Sequence, residues 1–240
     1  MVYSIVSEYS LTGMEGRGYF MGEIKKRKLT KPTFDKLSEE KKLMILRTAI
    51  SEFASQGFDH TNINIIAEKA GISVGSLYKY FGSKQDLFLV TIHQGTEVLK
   101  TILQAIVPSD QSFEEKCREL VKAIQKSSRE QLELIRLYSE LTSVGNSELV
   151  RQLSYEIESI SAEMYTELVK EGQRTGEIRR DIDPAMAAFL MDNLFISLQF
   201  SYSNEYYQQR FKIFLGNDIE NRDTFVLDQM VSFISHALKI

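Results

Sequence analysis

Residues 61–84, TNINIIAEKAGISVGSLYKYFGSK, constrain the fold more than any other stretch of this chain. Thr61 is a favourable N-cap, and the apolar residues after it recur on one face of a helix: Ile63, Ile66, Ala67 and Ala70. Gly71 can end that helix in the left-handed conformation, and Ser73 can cap a second one. Two short helices joined by Gly71-Ile72-Ser73 are typical of a helix-turn-helix, in which the first helix supports a second one offered to the major groove.

The composition favours an all-α protein. Only three of the 240 residues are proline, helix formers dominate, and few segments alternate in the way of strands. The single cysteine, Cys117, excludes an internal disulfide framework, and the three histidines are scattered without metal-ligand spacing, so we expect neither a metal nor another cofactor. No apolar run reaches the length of about twenty residues that a membrane span needs, and the first residues do not resemble a secretory signal. We therefore expect a cytoplasmic protein.

Charge is distributed unevenly along the chain. Residues 1–90 carry 13 Lys and Arg against 10 Asp and Glu, whereas residues 91–240 carry 16 against 23. A basic front on an acidic body is typical of a protein that meets a polyanion at one end only.

The N-terminal region divides into an extension and a DNA-binding module. Residues 1–30 predict a flexible basic extension; Met14 and Met21 are possible translation starts, so residues 1–20 need not be native. The run KKRK at residues 25–28, followed by Lys31, is either a solvated charge run or an arm that lies against phosphates. A helix that begins after Ser38 and ends at Gly57 supports the helix pair. The predicted domains are 1–30, 31–88 and 89–240.

The second helix of the pair has an unusual surface for a solvated helix. Leu77 and Phe81 are four residues apart and point into the core. The remaining positions offer hydroxyls, a cation and a bare glycine, which suit phosphate contact and base reading: Val74, Gly75, Ser76, Tyr78, Lys79 and Tyr80. The alternative is that Tyr78 and Tyr80 only cover the edge of the core. Lys84 follows the cap Ser83, where a nearby phosphate would explain a cation in the first helical turn.

These residues resemble the N-terminal domain of TetR-type transcriptional repressors over residues 38–88, most specifically in the run GISVGSLYKYFGSK. The resemblance implies DNA phosphate contacts at Thr61, Tyr78, Tyr80 and Lys84. It implies base reading at Asn64, Val74, Gly75, Ser76 and Lys79. Relatives often carry a polar or charged residue where this chain has Val74, so reading there would be an apolar contact, such as with a thymine methyl group.

Residues 89–240 predict a larger helical domain for effector binding and dimerisation. Periodic apolar stripes predict helices from Lys84 to Pro108, from Phe113, over 132–141 up to Gly145-Asn146, and over 147–174. Two long helices follow, over 184–207 after the Asp183-Pro184 start and over 218–238. The resemblance implies a homodimer through these last two helices, although a buried monomer core would give a similar pattern.

The leading functional hypothesis is a homodimeric repressor that leaves a palindromic operator when it binds a small molecule. Catalytic and phosphate-loop motifs are absent from the sequence, so we do not expect an enzyme. The candidate effector contacts, for each of which a place in the plain core is the stronger alternative, are Cys117, Tyr138, Met164, Tyr165, Phe189 and Asn193. Their residue types predict an apolar or aromatic effector. The alternative is an architectural or interaction protein that dimerises on DNA without an effector.

Overall fold

A computed structural model describes residues 29–141 and 147–239 of the chain. Within these ranges the secondary structure is helical and contains no strand, only two isolated bridges, Thr30 with Phe81 and Ile178 with Lys239. The all-α prediction is confirmed. The predicted basic run at 25–28 and the predicted helix stop at Gly145-Asn146 lie outside the described residues.

The described residues divide into two compact units, one up to Gln94 and one from Gly95 onward. The first unit contains four helices and the start of a fifth: α1 Pro32–Asp35, α2 Glu39–His60, α3 Ile63–Lys69, α4 Val74–Tyr80 and α5 Lys84–Ile106. Its core is formed by side chains that are almost completely buried: Ile45, Ala49, Phe53, Ile66, Leu77, Phe81, Leu87 and Phe88. Aromatic rings contribute to this core, since Phe53 and Phe88 meet edge to face with ring centroids 5.0 Å apart.

Helix α2 begins as predicted, because the Ser38 side chain accepts a hydrogen bond from the Lys41 amide and Glu39 and Glu40 occupy the first turn. The predicted end at Gly57 is marked by a break. Gly57 has φ 70° and ψ 167° inside the helical run, and one further turn continues to His60.

The helix-turn-helix is present, with one change in its capping. Asn62, and not Thr61, caps α3, because the Asn62 side chain accepts the Asn64 amide at 2.9 Å. Thr61 turns inward instead, and its hydroxyl donates to the Gly57 carbonyl at 2.6 Å. Gly71 adopts φ 62°, as predicted for the left-handed end of the first helix. Ser73 caps α4 by accepting the Ser76 amide at 3.0 Å.

The second unit contains the remainder of α5 and a set of longer helices. These are α6 Phe113–Glu130, α7 Leu132–Glu140, α8 Ser147–Thr175, α9 Pro184–Ser203, α10 Glu205–Leu215 and α11 Asp223–Leu238, with a 3-10 turn at Ile219–Arg222. Helix α9 packs against α6, α7, α8 and α10, and α11 packs against α6. Helix α9 starts as predicted. The Asp183 side chain accepts a hydrogen bond from the Met186 amide at 2.9 Å, and Pro184 is the first helical residue.

The predicted single helix over 184–207 is wrong at its end. Asn204 leaves the helical conformation, at φ −115° and ψ 126°, and its side chain accepts the amides of Tyr206 and Tyr207. A new helix, α10, therefore starts at Glu205, and it ends at Gly216 in the left-handed conformation. Helix α11 also starts later than predicted, since a 3-10 turn occupies Ile219–Arg222.

The start of α11 is fixed by a polar network with α6 and α9. Asp223 is paired with Arg129 and accepts the Tyr202 hydroxyl at 2.6 Å, while the Gln125 amide group donates to the Asp223 carbonyl at 2.9 Å. The Arg129 guanidinium also lies 5.0 Å from the centroid of the Tyr202 ring. Among the described helices, none is long and apolar enough to cross a membrane.

Candidate nucleic-acid interface and effector region

Helix α4 carries four of the five residues predicted to read bases, together with Tyr78, a predicted phosphate contact. Gly75 and Lys79 are exposed, Tyr78 is 45% exposed, and their spacing places these three on one side of the helix. Val74 and Ser76 are half-buried, and Asn64 is exposed on α3. The buried side of α4 is formed by Leu77, so the helix is held by one face and open on the other.

Gly75 leaves free space above the backbone of α4. A Cβ atom built there would meet only the Ser73 hydroxyl, at 3.9 Å, which is an ordinary contact. The fold therefore does not require glycine at this position. A bare position also leaves room for close approach of another molecule to the backbone.

The residues predicted to contact phosphates differ in how exposed they are and in the hydrogen bonds that they already make. Tyr78 is exposed and Tyr80 is half-buried. Thr61 is only 4% exposed, and its hydroxyl already donates to the carbonyls of Gly57 and Glu52. A phosphate contact at Thr61 stays a prediction, and in this conformation its hydroxyl is directed inward.

Lys84 lies at the start of α5, where its ammonium donates to the Asp59 carbonyl at 3.1 Å and lies 5.0 Å from the centroid of the Phe58 ring. Partial burial lowers the Lys84 pKa, and the nearby Asp59 charge opposes this effect. Its phosphate contact also stays a prediction.

A feature that the sequence did not reveal is the segment of residues 30–35, here called the clasp, which runs against the C-terminal end of α4. The Lys31 ammonium donates to the Tyr78 carbonyl at 2.8 Å, and the Lys31 amide donates to the Tyr80 carbonyl at 2.8 Å. The Thr33 hydroxyl donates to the Lys79 carbonyl. The Lys-Pro pair at 31–32 was the available sequence signal, since proline favours the first turn of a helix.

In the second unit, the six predicted effector residues do not form one group. Cys117 and Tyr165 are buried in the main apolar cluster, against which Met164 packs. Burial raises the pKa of the Cys117 thiol far above its ordinary value, with a smaller contribution from Glu114. Tyr138 is half-buried and stacks at an angle on Phe200, with centroids 5.6 Å apart.

Phe189 and Asn193 are separated from that group, which corrects their assignment to one lining. Phe189 is 60% exposed, and Asn193 is exposed with its side-chain amide bonded to the Phe189 carbonyl at 2.7 Å. The inward face of α9 is instead formed by Ala188, Met191, Phe195 and Leu198. Because α9 is apolar on nearly every side, its residue types could not show which face is inward.

Two carboxylates missing from the sequence prediction lie beside the tyrosines. The Tyr138 hydroxyl donates to Glu158 at 2.7 Å, and Asp192 is hydrogen-bonded to Ser161. Burial, followed by the Glu158 charge, raises the pKa of Asp192 to about 6. Asp192 and Glu158 are far apart in sequence, so no local motif could have indicated that they interact.

Residues 45–91, which cover most of α2, all of α3 and α4 and the start of α5, match the family model described as bacterial regulatory proteins, tetR family. The helix-turn-helix of this chain is a TetR-family domain. Among the described residues, no group of three His, Cys, Asp or Glu could hold a metal ion.

Similarity to TetR-family and other helix-turn-helix regulators extends beyond the matched domain. The chain is 25% identical over 178 residues to the HTH-type transcriptional regulator YhgD of Bacillus subtilis, covering 71% of this chain and 88% of that protein. It is 25% identical over 160 residues to the HTH-type transcriptional repressor KstR2 of Mycolicibacterium smegmatis, covering 65% and 76%.

A solved structure shares the fold of both units. The transcriptional regulator FadR of Bacillus subtilis, in complex with stearoyl-CoA, superimposes with a TM-score of 0.64 at 20% identity, covering 79% of this chain and 97% of that one. The helix-turn-helix thus belongs to the TetR family, and over most of its length the chain resembles helix-turn-helix regulators of transcription.

Gly75→Ala tests whether DNA approaches the backbone of α4. The new methyl group has space, and alanine is favoured over glycine inside a helix by about 1 kcal/mol, so we expect a more stable protein. We expect the same methyl group to weaken DNA binding, measured by fluorescence anisotropy beside a urea melt. Gly71→Ala is the matched control, because φ 62° makes alanine destabilising there by about 1 kcal/mol. A stable Gly75→Ala protein with unchanged DNA affinity would contradict a close approach.

The Asp192→Asn substitution tests whether the raised pKa of the Asp192 carboxyl lowers the stability of the protein at neutral pH. Because the folded-state pKa is about 6 and the ordinary value is 3.8, the folded protein binds this proton more tightly than the unfolded chain does. Stability should therefore fall as the pH rises from about 4 to about 6, and stay lower above that range. We expect Asp192→Asn to be more stable than the wild type near pH 7.5 by about 1 kcal/mol, after allowance for partial exposure, with a smaller difference near pH 4.5.

Urea unfolding at both pH values measures this difference. The exposed Asp110→Asn change is the control for loss of a surface charge. A difference between Asp192→Asn and the wild type that does not vary with pH would show that Asp192 ionises normally.

Proposed function

We propose that the chain is a homodimeric transcriptional repressor that binds a palindromic operator through α4 and leaves it when a small apolar or aromatic effector binds. The observation that supports DNA reading most strongly is the open face of α4. Gly75, Tyr78 and Lys79 are exposed on a helix whose other face is anchored by Leu77. A short, firmly held helix with a bare position, a phenol and a cation suits the major groove.

The proposed contacts to DNA are of two kinds, which are phosphate contacts that hold the DNA and base contacts that read its sequence. We assign phosphate contact to Thr61, Tyr78, Tyr80 and Lys84 and base contact to Asn64, Val74, Gly75, Ser76 and Lys79. Phosphate contacts give affinity that depends on salt, whereas base contacts distinguish one sequence from another. The two sets therefore predict different kinds of mutant.

Dimerisation is supported by apolar side chains that the second unit leaves exposed. On α9, Met186, Phe189 and Leu190 are each more than half exposed and share one side of the helix, and on α11 Phe233 is 62% exposed. Exposed apolar groups of this size are typical of a surface that a second chain covers. Sedimentation of the protein at the mass of one chain at micromolar concentration would contradict the dimer.

Effector binding is supported by the chemistry at the centre of the second unit. Cys117, Met164 and Tyr165 provide apolar surface, and Tyr138 provides a polar end with Glu158 and Asp192. Phe189 and Asn193 fit the dimer face better. The FadR structure contains stearoyl-CoA, whose long acyl chain is apolar, and an apolar effector here is consistent with that part of the ligand. The effector should raise the melting temperature and lower operator affinity.

A dimeric architectural DNA-binding protein without an effector is the alternative. It predicts weak sequence preference and no response to small molecules. One assay distinguishes the two proposals, because only the repressor should dissociate from a selected operator when its small-molecule effector is added.

The experiment starts by selecting operators from random DNA with the wild-type protein and then measures affinity against salt. Lys84→Ala should weaken binding to every sequence and reduce the log–log salt slope by about 0.9 per subunit. Ser76→Ala and Lys79→Met should instead change which operator is preferred. An unchanged slope would remove Lys84 from the phosphate set, and an equal loss on all operators would count against base reading by α4.

A further inference from the structure

The last turn of any α-helix leaves carbonyl groups without partners inside the helix. In α4 the carbonyls of Tyr78, Lys79 and Tyr80 are in this position. Each of them accepts a hydrogen bond from the clasp. The C-terminal end of the helix is thus satisfied by a segment that is distant in sequence, and not by local residues.

Two side chains and one backbone amide make these three bonds. The Lys31 side chain reaches the Tyr78 carbonyl at 2.8 Å, and the Lys31 amide reaches the Tyr80 carbonyl at 2.8 Å. The Thr33 hydroxyl reaches the carbonyl of Lys79 between them. Because the C-terminal end of a helix carries partial negative charge, the Lys31 ammonium is also favourably placed electrostatically.

Aromatic packing holds the clasp in place. Phe34 is 5% exposed, and its ring centroid lies 4.8 Å from that of Phe81 and 6.1 Å from that of Tyr80. Thr30 forms an isolated bridge with Phe81 on the other side of Lys31. The donors of the clasp are therefore fixed between an anchored ring and a backbone bridge.

We propose that Lys31 and Thr33 are positioning residues for sequence reading by α4. This inference rests on the proposed use of α4 as the reading helix. The clasp holds the turn that contains Tyr78, Lys79 and Tyr80, which are two assigned phosphate contacts and one assigned base contact. Ser73 fixes the other end of the same helix by accepting the Ser76 amide.

The length of α4 explains why such support matters. The helix has seven residues, which is far below the length of about 12 residues at which isolated helices become even marginally stable. Base-edge hydrogen bonds require precise direction, whereas phosphate attraction tolerates displacement. Loosening the last turn should therefore reduce binding to the operator more than binding to unrelated DNA.

The same geometry assigns Lys31 a role that differs from phosphate neutralisation. A lysine that contacts a phosphate releases counterions on binding, so its removal makes the salt dependence of affinity shallower. A lysine that acts only through the bond of its ammonium to the Tyr78 carbonyl makes no such contribution. The two roles are therefore separated by the salt slope.

The test compares Lys31→Met, Thr33→Val and the double variant with the wild type, using an operator selected by the wild type and a scrambled duplex of equal length. We expect the ratio of scrambled to operator Kd to fall about tenfold in the double variant, the size expected for losing a hydrogen bond from a charged donor. Scrambled-DNA affinity and the salt slope should stay unchanged. Thr33→Ser, which keeps the hydroxyl, should retain the wild-type ratio, and Lys36→Met controls for loss of an exposed positive charge in the neighbouring sequence.

Hydrogen exchange on the free proteins supplies a readout independent of DNA. The amides of residues 78–81 should exchange faster in the double variant, while those in the middle of α2 should not change. A wild-type ratio in the double variant, or a shallower salt slope in Lys31→Met, would overturn the positioning role. Failure of the wild type to prefer any sequence would instead refute the proposed function itself, so the two failures are distinguishable.

Discussion

A helix of seven residues is not stable by itself in water, so under our proposal DNA recognition depends on how α4 is supported. Leu77 anchors its inner face in the core of the first unit, Ser73 caps its start, and the clasp satisfies its last carbonyls. Support from three directions leaves one face free for contact with DNA. Helix α3 packs against α4, and the inward-turned Thr61 hydroxyl donates to the Gly57 carbonyl.

The second unit is organised around α9, which is covered by other helices on one side and exposes Met186, Phe189 and Leu190 on the other. Its inner side joins an apolar cluster around Cys117 and Tyr165 to the polar group of Tyr138, Glu158 and Asp192. One helix thus borders both the proposed effector region and the proposed dimer face. Under our proposal, a ligand that shifts α9 can alter the spacing of the two DNA-binding domains.

Local signals in the sequence were sufficient for most of the helix-turn-helix, because the Ser73 cap, the left-handed Gly71 and the buried Leu77 and Phe81 depend on neighbouring residues. The cap of α3 was predicted one residue too early, at Thr61 instead of Asn62. Features that depend on distant residues were missed. The clasp joins residue 31 to residue 78, and the carboxylates Glu158 and Asp192 meet across two helices. The break at Asn204 was missed because the apolar pattern continues beyond it, and Phe189 was misplaced because residue type alone does not orient an apolar helix.

Under our proposal, the two α4 helices of a dimer read one DNA site. The most direct measurement is ethylation interference on an operator that the wild type has selected from random DNA. We predict two clusters of essential phosphates, symmetric about the centre of the site and about one helical turn apart. A single cluster, or interference spread evenly along the duplex, would contradict a dimer that reads a palindrome through α4.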